Sequence, residues 1–336
     1  MRIYRLVAWL ILSIGAASSN SLAADGALYE SAKAEGKLVA YLAMNAADAV
    51  TVQTSFEKIF PSIKVELVRL GAPAILQRIL TEYRSGKILA DVVLGFSFVH
   101  YELMQQKLLE RYDSPERKHF VDQFKDSDGY WTNVMSIVHT IAYNPKLVTA
   151  ADLPARYIDL LQPKWKNRLG MNRNNVMFLA AMTTHFGKAN GEDFLQKLAA
   201  QAPQVRSGGT LLATLVAAGE FPLGFSINEN NVENLKLKGA PLDWIKPIDP
   251  FYGELVPIGI MARAAHPNSA RIFIDYLLSR DGQELFRSLG KVPARNDVAP
   301  TIKIDREKIR MIPPEESART SYYAKLFDSL FVKGGK

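Results

Sequence analysis

Short apolar runs alternate with helical patterns along the first third of the chain. Residues 37–42 read as a buried strand, and Val52, Phe56 and Ile59 then recur at helical spacing until Pro61 interrupts the pattern. The same alternation continues with a strand at 63–68, a helix at 72–85 and a strand at 90–94. Strands that alternate with helices predict βαβ units, and hence a parallel sheet with helices on its faces.

A second α/β set follows residue 145. Strands are predicted near 168–171 and 222–227, with helices at 176–186, 191–200 and 211–218. An apolar strand at 255–261 and a helix at 269–278 then indicate a return to the first set. The predicted fold class is therefore α/β, with two doubly wound lobes joined by two hinge crossings, near 137–143 and 245–257. The predicted divisions are a signal peptide at 1–23, lobe 1 at 24–138, lobe 2 at 139–250, and a return to lobe 1 with C-terminal helices at 251–336.

The N-terminus has the features of a secretory signal. Arg2 and Arg5 precede an apolar stretch of about twelve residues, which ends in small polar residues and the site Ser21-Leu22-Ala23. A spanning helix needs ~20 apolar residues. A cleavable signal peptide and a periplasmic mature protein are therefore expected, and a retained anchor is the alternative.

Charge and cysteine content narrow the possible chemistry. Without residues 1–23 the chain loses two arginines and no acid, so its formal charge falls from +7 to +5. A mildly basic surface suits small anions or an acidic partner. No Lys/Arg run accompanies it, so no nucleic-acid partner is expected. The chain has no cysteine, which excludes disulfides, thiolate metal sites and a Cys nucleophile.

Four segments in order resemble one family. They are residues 86–93 (GKILADVV), 163–170 (PKWKNRLG), 217–224 (AAGEFPLG) and 270–279 (ARIFIDYLLS), the last followed by Gly282 and Gln283. The chain resembles bacterial extracellular solute-binding proteins, in particular their ferric-ion-binding-like branch. The resemblance implies a type II periplasmic-binding fold, a small-molecule ligand held between the lobes, and delivery to the membrane permease and ATPase of an ABC transporter. We expect a monomer with no cofactor.

Iron-binding members of that branch use a pair of tyrosines just after the strand at 222–227. Carried over by position, the pair falls on Glu229 and Asn230, the first-lobe acid falls on or beside Phe96, and a position that can hold His falls at Asn45. These residues do not reproduce the oxygen-rich, phenolate-containing set that ferric iron favours. The predicted ligand is therefore a small polar solute, anionic or zwitterionic, with ferric iron as the alternative. Iron would require Glu229, Glu254 and Tyr252 to converge with a bound anion.

The predicted ligand contacts are mostly amides, hydroxyls and backbone groups, because ligands of parallel sheets bind outside the carboxyl ends of the strands. They are Asn45, Phe96, Ser97, Arg173, Asn174, Asn175, Gly209, Thr210, Asn228, Glu229, Tyr252 and Glu254.

Each contact also has an ordinary structural explanation. One Asn of 172–175 should cap the next helix, and Asn230, three residues before Glu233, has the spacing of a capping box. Residues 207–210 are either a simple helix start or an anion cradle. Phe96 is either a ligand wall or core, and Tyr252 and Glu254 either respond to closure or are ordinary linker residues.

Motifs for catalysis are missing from the sequence. The five histidines have no metal-site spacing, and there is no G-x-S-x-G, G-x-G-x-x-G or G-x-x-x-x-G-K-[ST]. We therefore predict that the protein is not an enzyme. A secreted enzyme and a secreted interaction module are the remaining alternatives from other classes.

Overall fold

The structure is a computed structural model that describes residues 26–246 and 248–332, so the proposed signal peptide lies outside the described residues. The helices are α1 (26–35), α2 (Ala46–Ile59), α3 (Ala72–Arg84), α4 (Ser97–Gln105), α5 (Met177–Phe186), α6 (Lys188–Ala200), α7 (Gly209–Ala218), α8 (Glu229–Leu237), α9 (Pro267–Leu278), α10 (Arg280–Ser288), α11 (Pro314–Ala318) and α12 (Thr320–Phe327). The strands are β1 (Lys37–Leu42), β2 (Lys64–Arg69), β3 (Val92–Leu94), β4 (Leu109–Glu110), β5 (Thr132–Tyr143), β6 (Leu169–Asn172), β7 (Gln204–Arg206), β8 (Leu223–Asn228), β9 (Asp243–Trp244), β10 (Tyr252–Met261), β11 (Val292–Pro293) and β12 (Arg310–Met311).

One continuous sheet runs through both halves of the molecule. Its main path has the order β2-β1-β3-β10-β5-β8-β6-β7. The strands β1, β2 and β3 are parallel to one another, as are β6, β7 and β8. The two parallel groups are joined by β5 and β10, which pair antiparallel with each other and with their neighbours. We call the β1–β3 group with its helices the first lobe and the β6–β8 group with its helices the second lobe.

The carboxyl ends of the two parallel groups point towards each other. β3 ends at Leu94, opposite Ile258 of β10, whereas β8 ends at Asn228, opposite His139 of β5. His139 lies opposite Tyr252 at the start of β10. Six residue steps of β10 therefore separate the two sets of strand ends, about 20 Å at ~3.4 Å per residue. This segment of β5 and β10 forms the floor between the lobes.

Separate apolar clusters hold each lobe. In the first lobe, helices α2 and α9 bury Phe56 and Phe273 on one face of the sheet, and α3 and α4 bury Ile79 and Leu103 on the other. In the second lobe, one cluster contains Phe178 of α5 and another contains Val216 of α7. Burying aromatic and aliphatic side chains in this way stabilises each lobe independently.

The C-terminal helices contact both lobes. Tyr323 and Phe327 of α12 are buried in the same cluster as Phe178 of the second lobe. The preceding helix α11 packs on α4 of the first lobe, where the buried hydroxyls of Ser317 and Ser97 lie 3.2 Å apart. The C-terminal segment is thus a further connection between the lobes besides β5 and β10.

Candidate functional site

Four helices begin after strand ends that border the space between the lobes. α4, α5, α7 and α8 follow β3, β6, β7 and β8, and the residue before each helix makes no capping hydrogen bond through its side chain. The helix α2 differs, because the Asn45 side chain accepts from the backbone N–H of Asp48. Unsatisfied N–H groups and the helix dipole concentrate positive charge at helix N-termini. The space between the lobes is therefore favourable for a negatively charged group.

Ser226 lies at a bulge where β8 leaves its register with β5. Its φ of 63° is in the left-handed region, which costs a residue with a side chain about 1–2 kcal/mol. Its carbonyl accepts from Asn172 at 3.1 Å and from Asn175 at 3.4 Å, and its hydroxyl donates to the Asn175 carbonyl at 3.1 Å. The strained conformation thus fixes the loop between β6 and α5 against β8.

The amide-rich loop is used differently from the predicted helix cap. The residue before α5 is Val176, so none of the four residues 172–175 caps this helix and that prediction is wrong. Instead, the side-chain oxygen (Oδ1) of Asn172 accepts from the backbone N–H groups of Asn174, at 3.0 Å, and Gly208, at 3.2 Å. The Asn172 side chain therefore joins the loops that follow β6 and β7.

His139 is at the centre of a buried polar chain on the floor. Its Nε2 lies 2.8 Å from the Glu254 carboxylate, and its Nδ1 lies 2.6 Å from the Asn175 amide nitrogen. Because the amide donates to Nδ1, the imidazole carries its proton on Nε2 and donates it to Glu254. The ring stacks on Tyr252, with centroids 5.0 Å apart. The predicted residues Asn175, Tyr252 and Glu254 are therefore brought together by a histidine that was not predicted.

Glu229 is turned towards the protein backbone. It is the first residue of α8, is 3 % exposed, and accepts from the backbone N–H of Val138 in β5 at 3.2 Å. Burial raises the pKa of Glu229 to about 8, against the opposing effects of backbone N–H groups and the nearby Lys291. At neutral pH this group is mostly protonated, so it repels an anion little.

The capping box predicted at Asn230 is not formed. Asn228 precedes α8 and makes no cap through its side chain, and Asn230 is the second residue of the helix. The Asn230 side-chain oxygen is buried without a hydrogen-bond partner among the described residues. The side chain of Asn230 therefore has an unused acceptor at the start of α8.

The two polar residues predicted at the first-lobe edge of the floor differ in exposure: Asn45 is exposed and Ser97 is buried. Asn45 is exposed and bonded to Asp48, which forms a 2.8 Å ion pair with Lys291. Ser97 is buried under α11, and Phe96 is partly buried against both first-lobe clusters. Asn45 and Lys291 are the more accessible polar groups at this edge.

The outer edge of the second lobe contains the remaining predicted residues. Arg173 is exposed and pairs with Asp328 at 2.9 Å, and Asn174 beside it is exposed. A Cβ added to Gly209 would lie 2.6 Å from the Asn231 amide nitrogen, so a side chain at this position would require the Asn231 amide to move. Thr210 is exposed, with its hydroxyl 3.4 Å from the Asn231 side-chain oxygen.

His139, Ser226 and Lys291 were missed by the sequence interpretation. His139 lies inside β5, a largely buried strand that also carries Asn133, Ser136 and Thr140. Ser226 is the only hydroxyl in β8, and Lys291 precedes a strand of two residues. A polar residue within a largely buried strand was the available signal for the first two. For Lys291 we find no such signal.

Within residues 26–246 and 248–332, no group of three or more His, Asp or Glu side chains is arranged to hold a metal ion. The Tyr252 hydroxyl is buried, and burial raises its pKa well above the ordinary value. Its ionisation to a phenolate is therefore strongly disfavoured at this position.

No helix in the described part of the chain combines the length and apolarity needed to cross a bilayer.

Comparison with known proteins identifies relatives. The Fe(3+)-binding periplasmic protein of Serratia marcescens is 26 % identical over 245 residues, 66 % of this chain and 64 % of that protein. The structure of iron-bound HitA from Pseudomonas aeruginosa has a TM-score of 0.76 at 21 % identity, and covers 88 % of this chain and 99 % of HitA. AfuA from Actinobacillus pleuropneumoniae, with fructose-6-phosphate bound, has a TM-score of 0.70 at 20 % identity, with 88 % and 98 % covered. These likenesses confirm the predicted type II periplasmic-binding fold.

Residues 87–314 match the family described as bacterial extracellular solute-binding protein, which is well over half of the chain. Members of this family bind solutes for ABC transport and are not enzymes, as predicted from the missing catalytic motifs. The chain therefore belongs to the bacterial extracellular solute-binding proteins.

Proposed function

We propose that this protein is the periplasmic substrate-binding component of an ABC uptake transporter, and that it captures a small anionic or zwitterionic solute between its lobes by hinge closure. The observation that carries the proposal is the set of helix starts at α4, α5 and α7, which follow the two groups of strands whose carboxyl ends point towards each other, and which the preceding residue leaves without a side-chain cap. Carboxylate and phosphate groups bind well at such helix starts. Lys291 lies on the first-lobe side, where its ammonium group is paired with the Asp48 carboxylate.

Glu254 allows for a ligand that also carries a positive charge. Its carboxylate accepts from His139 through one oxygen at 2.8 Å and is slightly exposed on the floor. The negative charge of Glu254 would compensate the positive charge of an ammonium group that bound there. Glu229 would contribute little negative charge, because it is mostly protonated. This difference favours anions and zwitterions over cations.

Ferric iron is the second candidate, and the relatives whose descriptions name iron favour it. Of the three residues that would have to bind it here, two carboxyl groups already accept hydrogen bonds and the third residue is buried. Glu229 accepts from the β5 backbone, Glu254 accepts from His139, and the Tyr252 hydroxyl is buried. AfuA, with fructose-6-phosphate bound, supports the view that this fold also accepts organic anions.

The ligand class is tested with protein purified without chelators. Metal analysis should find less than stoichiometric iron, and melting temperatures should rise with one member of a panel of sugar phosphates, dicarboxylates and amino acids. Stoichiometric iron with a visible charge-transfer band would contradict the proposal.

A matched pair of variants tests the helix start itself. Thr210→Asp places a carboxylate at the first turn of α7, and we expect at least tenfold weaker binding of the anion. Thr214→Asp adds the same charge one turn later on an exposed position of the same helix, and should change affinity little. Equal effects of the two variants would show that the α7 start does not contact the ligand.

We further propose delivery to a membrane permease and export through the cleavable signal at 1–23. Intact-mass analysis of periplasmic protein should give a mass that begins after Ala23. A mass that still includes residues 1–20 would instead show a retained anchor.

A further inference from the structure

A cavity of about 230 Å³ lies beside the start of β10, apart from the helix starts described above. Its walls are the second half of α5 (Ala181, Thr184 and His185), Pro250 with Tyr252, and residues 310–312. We infer that this cavity is a second ligand site, which takes a small monocarboxylate with an apolar body.

The polar groups of the cavity fit a carboxylate. Arg310 is exposed and, among the described residues, forms no ion pair. His185 Nδ1 is buried without a hydrogen-bond partner in the described structure, and burial lowers the pKa of this imidazole. A neutral imidazole donates one hydrogen bond, here from Nδ1 when that nitrogen carries the proton, and a guanidinium can bind both oxygens of a carboxylate. Arg310 thus provides the positive charge, and the Nδ1–H tautomer of His185 provides a neutral donor.

The remaining walls exclude larger or more highly charged ligands. Ala181, Pro250, Met311 and Ile312 are apolar, which suits a hydrocarbon or aromatic body. The Asp249 carboxylate lies 3.8 Å from His185 Nε2 at the outside of this group and disfavours a second negative charge. The volume is below the ~300 Å³ at which drug-sized ligand pockets begin, so the ligand is small.

The position links the cavity to the floor between the lobes. Tyr252 contributes to its wall and stacks on His139, which is bonded to Glu254 and Asn175. Arg310 and Met311 form β12, which pairs with Tyr252 and Gly253 of β10. A ligand in the cavity therefore contacts both strands at the point where β10 leaves the second lobe.

Benzoate is a suitable probe, and benzamide is its neutral counterpart. With the mature protein, we expect calorimetry to show benzoate binding in the millimolar range or tighter, and benzamide at least tenfold weaker. Benzoate should also shift the methyl resonances of Met311 and Ile312. Benzoate that fails to bind at 10 mM, on the order of the weakest affinity worth assigning to a site, or that leaves both methyl resonances unchanged, overturns the inference.

Two variants test whether the positive charge of Arg310 binds benzoate. Arg310→Gln should weaken benzoate at least tenfold, whereas Lys308→Gln, which removes a positive charge two residues earlier and outside this cavity, should leave the affinity within twofold. Equal affinities for the Arg310→Gln variant and the wild type would also overturn the inference. Because Arg310 is exposed, both variants should fold, and their melting curves verify this. The solute panel is measured on the same variants, so that failure at this cavity is separable from failure at the helix starts.

Discussion

Glu229 shows how a single buried carboxyl group sets a pH dependence. The pKa of Glu229 is raised from 4.5 to about 8, mainly by burial. Between these values the group is protonated in the folded protein and ionised in the unfolded chain, so a rise in pH favours unfolding. We expect Glu229→Gln to remove this loss of stability. Between pH 4.5 and 8, the free energy of unfolding of the variant should therefore rise relative to that of the wild type by about 1.4 kcal/mol per pH unit.

Urea unfolding at several pH values measures the Glu229 effect. Glu315→Gln, which neutralises an exposed carboxylate on α11, is the matched control and should keep the wild-type slope. A Glu229→Gln variant whose stability follows the wild type in parallel from pH 5 to 8 would mean that the buried carboxyl is not protonated on folding.

Residue types were easier to predict from the sequence than the partners of individual side chains. The loops at 172–175 and 228–231 were correctly marked as amide-rich and next to strand ends. Local spacing then suggested helix caps, whereas the actual partners are distant in sequence: Asn172 bonds to Ser226 and Asn175 bonds to His139. Such long-range pairs depend on how strands order themselves in the sheet, and one sequence does not specify this order.

Among the secondary-structure elements, the C-terminal helix α12 is held in place by hydrogen bonds of the Tyr323 hydroxyl. Tyr323 is buried, and its hydroxyl donates to the Glu316 carboxylate and lies 3.3 Å from that of Thr183 in α5. Burial raises the pKa of Tyr323 to about 12. We expect Tyr323→Phe to destabilise the protein by about 1.5–3 kcal/mol, the usual range for a hydrogen bond to a charged group.

The neighbouring residue provides the control for that variant. Tyr322 is exposed, and Tyr322→Phe should change the free energy of unfolding by less than about 0.5 kcal/mol. Equal losses in the two variants, measured by urea unfolding, would show that the hydroxyl of Tyr323 does not hold α12 in place.

Short strands with a regular pattern were predicted well, and the long strand β5 was not. β1 has the predicted bounds, and β2, β3 and β8 lie within one or two residues of theirs. β1 and β3 are nearly continuous apolar runs, as buried parallel strands usually are, whereas β2 (KVELVR) alternates apolar and charged residues. The first crossing was predicted at 137–143, but β5 begins at Thr132. Its first half carries Asn133 and Ser136, whose side chains bond to each other, and the Asn133 side chain also accepts from the backbone N–H of Val256 in β10. Both residues are therefore buried without being apolar.

For the whole molecule, the sheet suggests how the lobes move. Among the described residues, the two parallel groups are connected by the floor segments of β5 and β10 and by the chain from Lys291 to α12, while separate clusters keep each lobe rigid. Bending of β5 and β10 can therefore bring the helix starts together around a ligand, with α11 shifting on α4. This mode of hinge closure is common among two-lobed binding proteins.

Spin-label distances test this closure directly, because the chain has no cysteine of its own. Val50→Cys on α2 and Leu237→Cys at the end of α8 would label exposed positions in different lobes, 54 % and 85 % exposed in the native protein. We expect the distance between the labels to shorten by several ångströms, on the order of known domain closures, when the solute identified by the panel is added. The pair Val50→Cys and Tyr83→Cys lies within the first lobe and should keep its distance. An interlobe distance that stays constant at saturating ligand would mean that the solute binds a rigid molecule, and the proposed hinge closure would then be wrong.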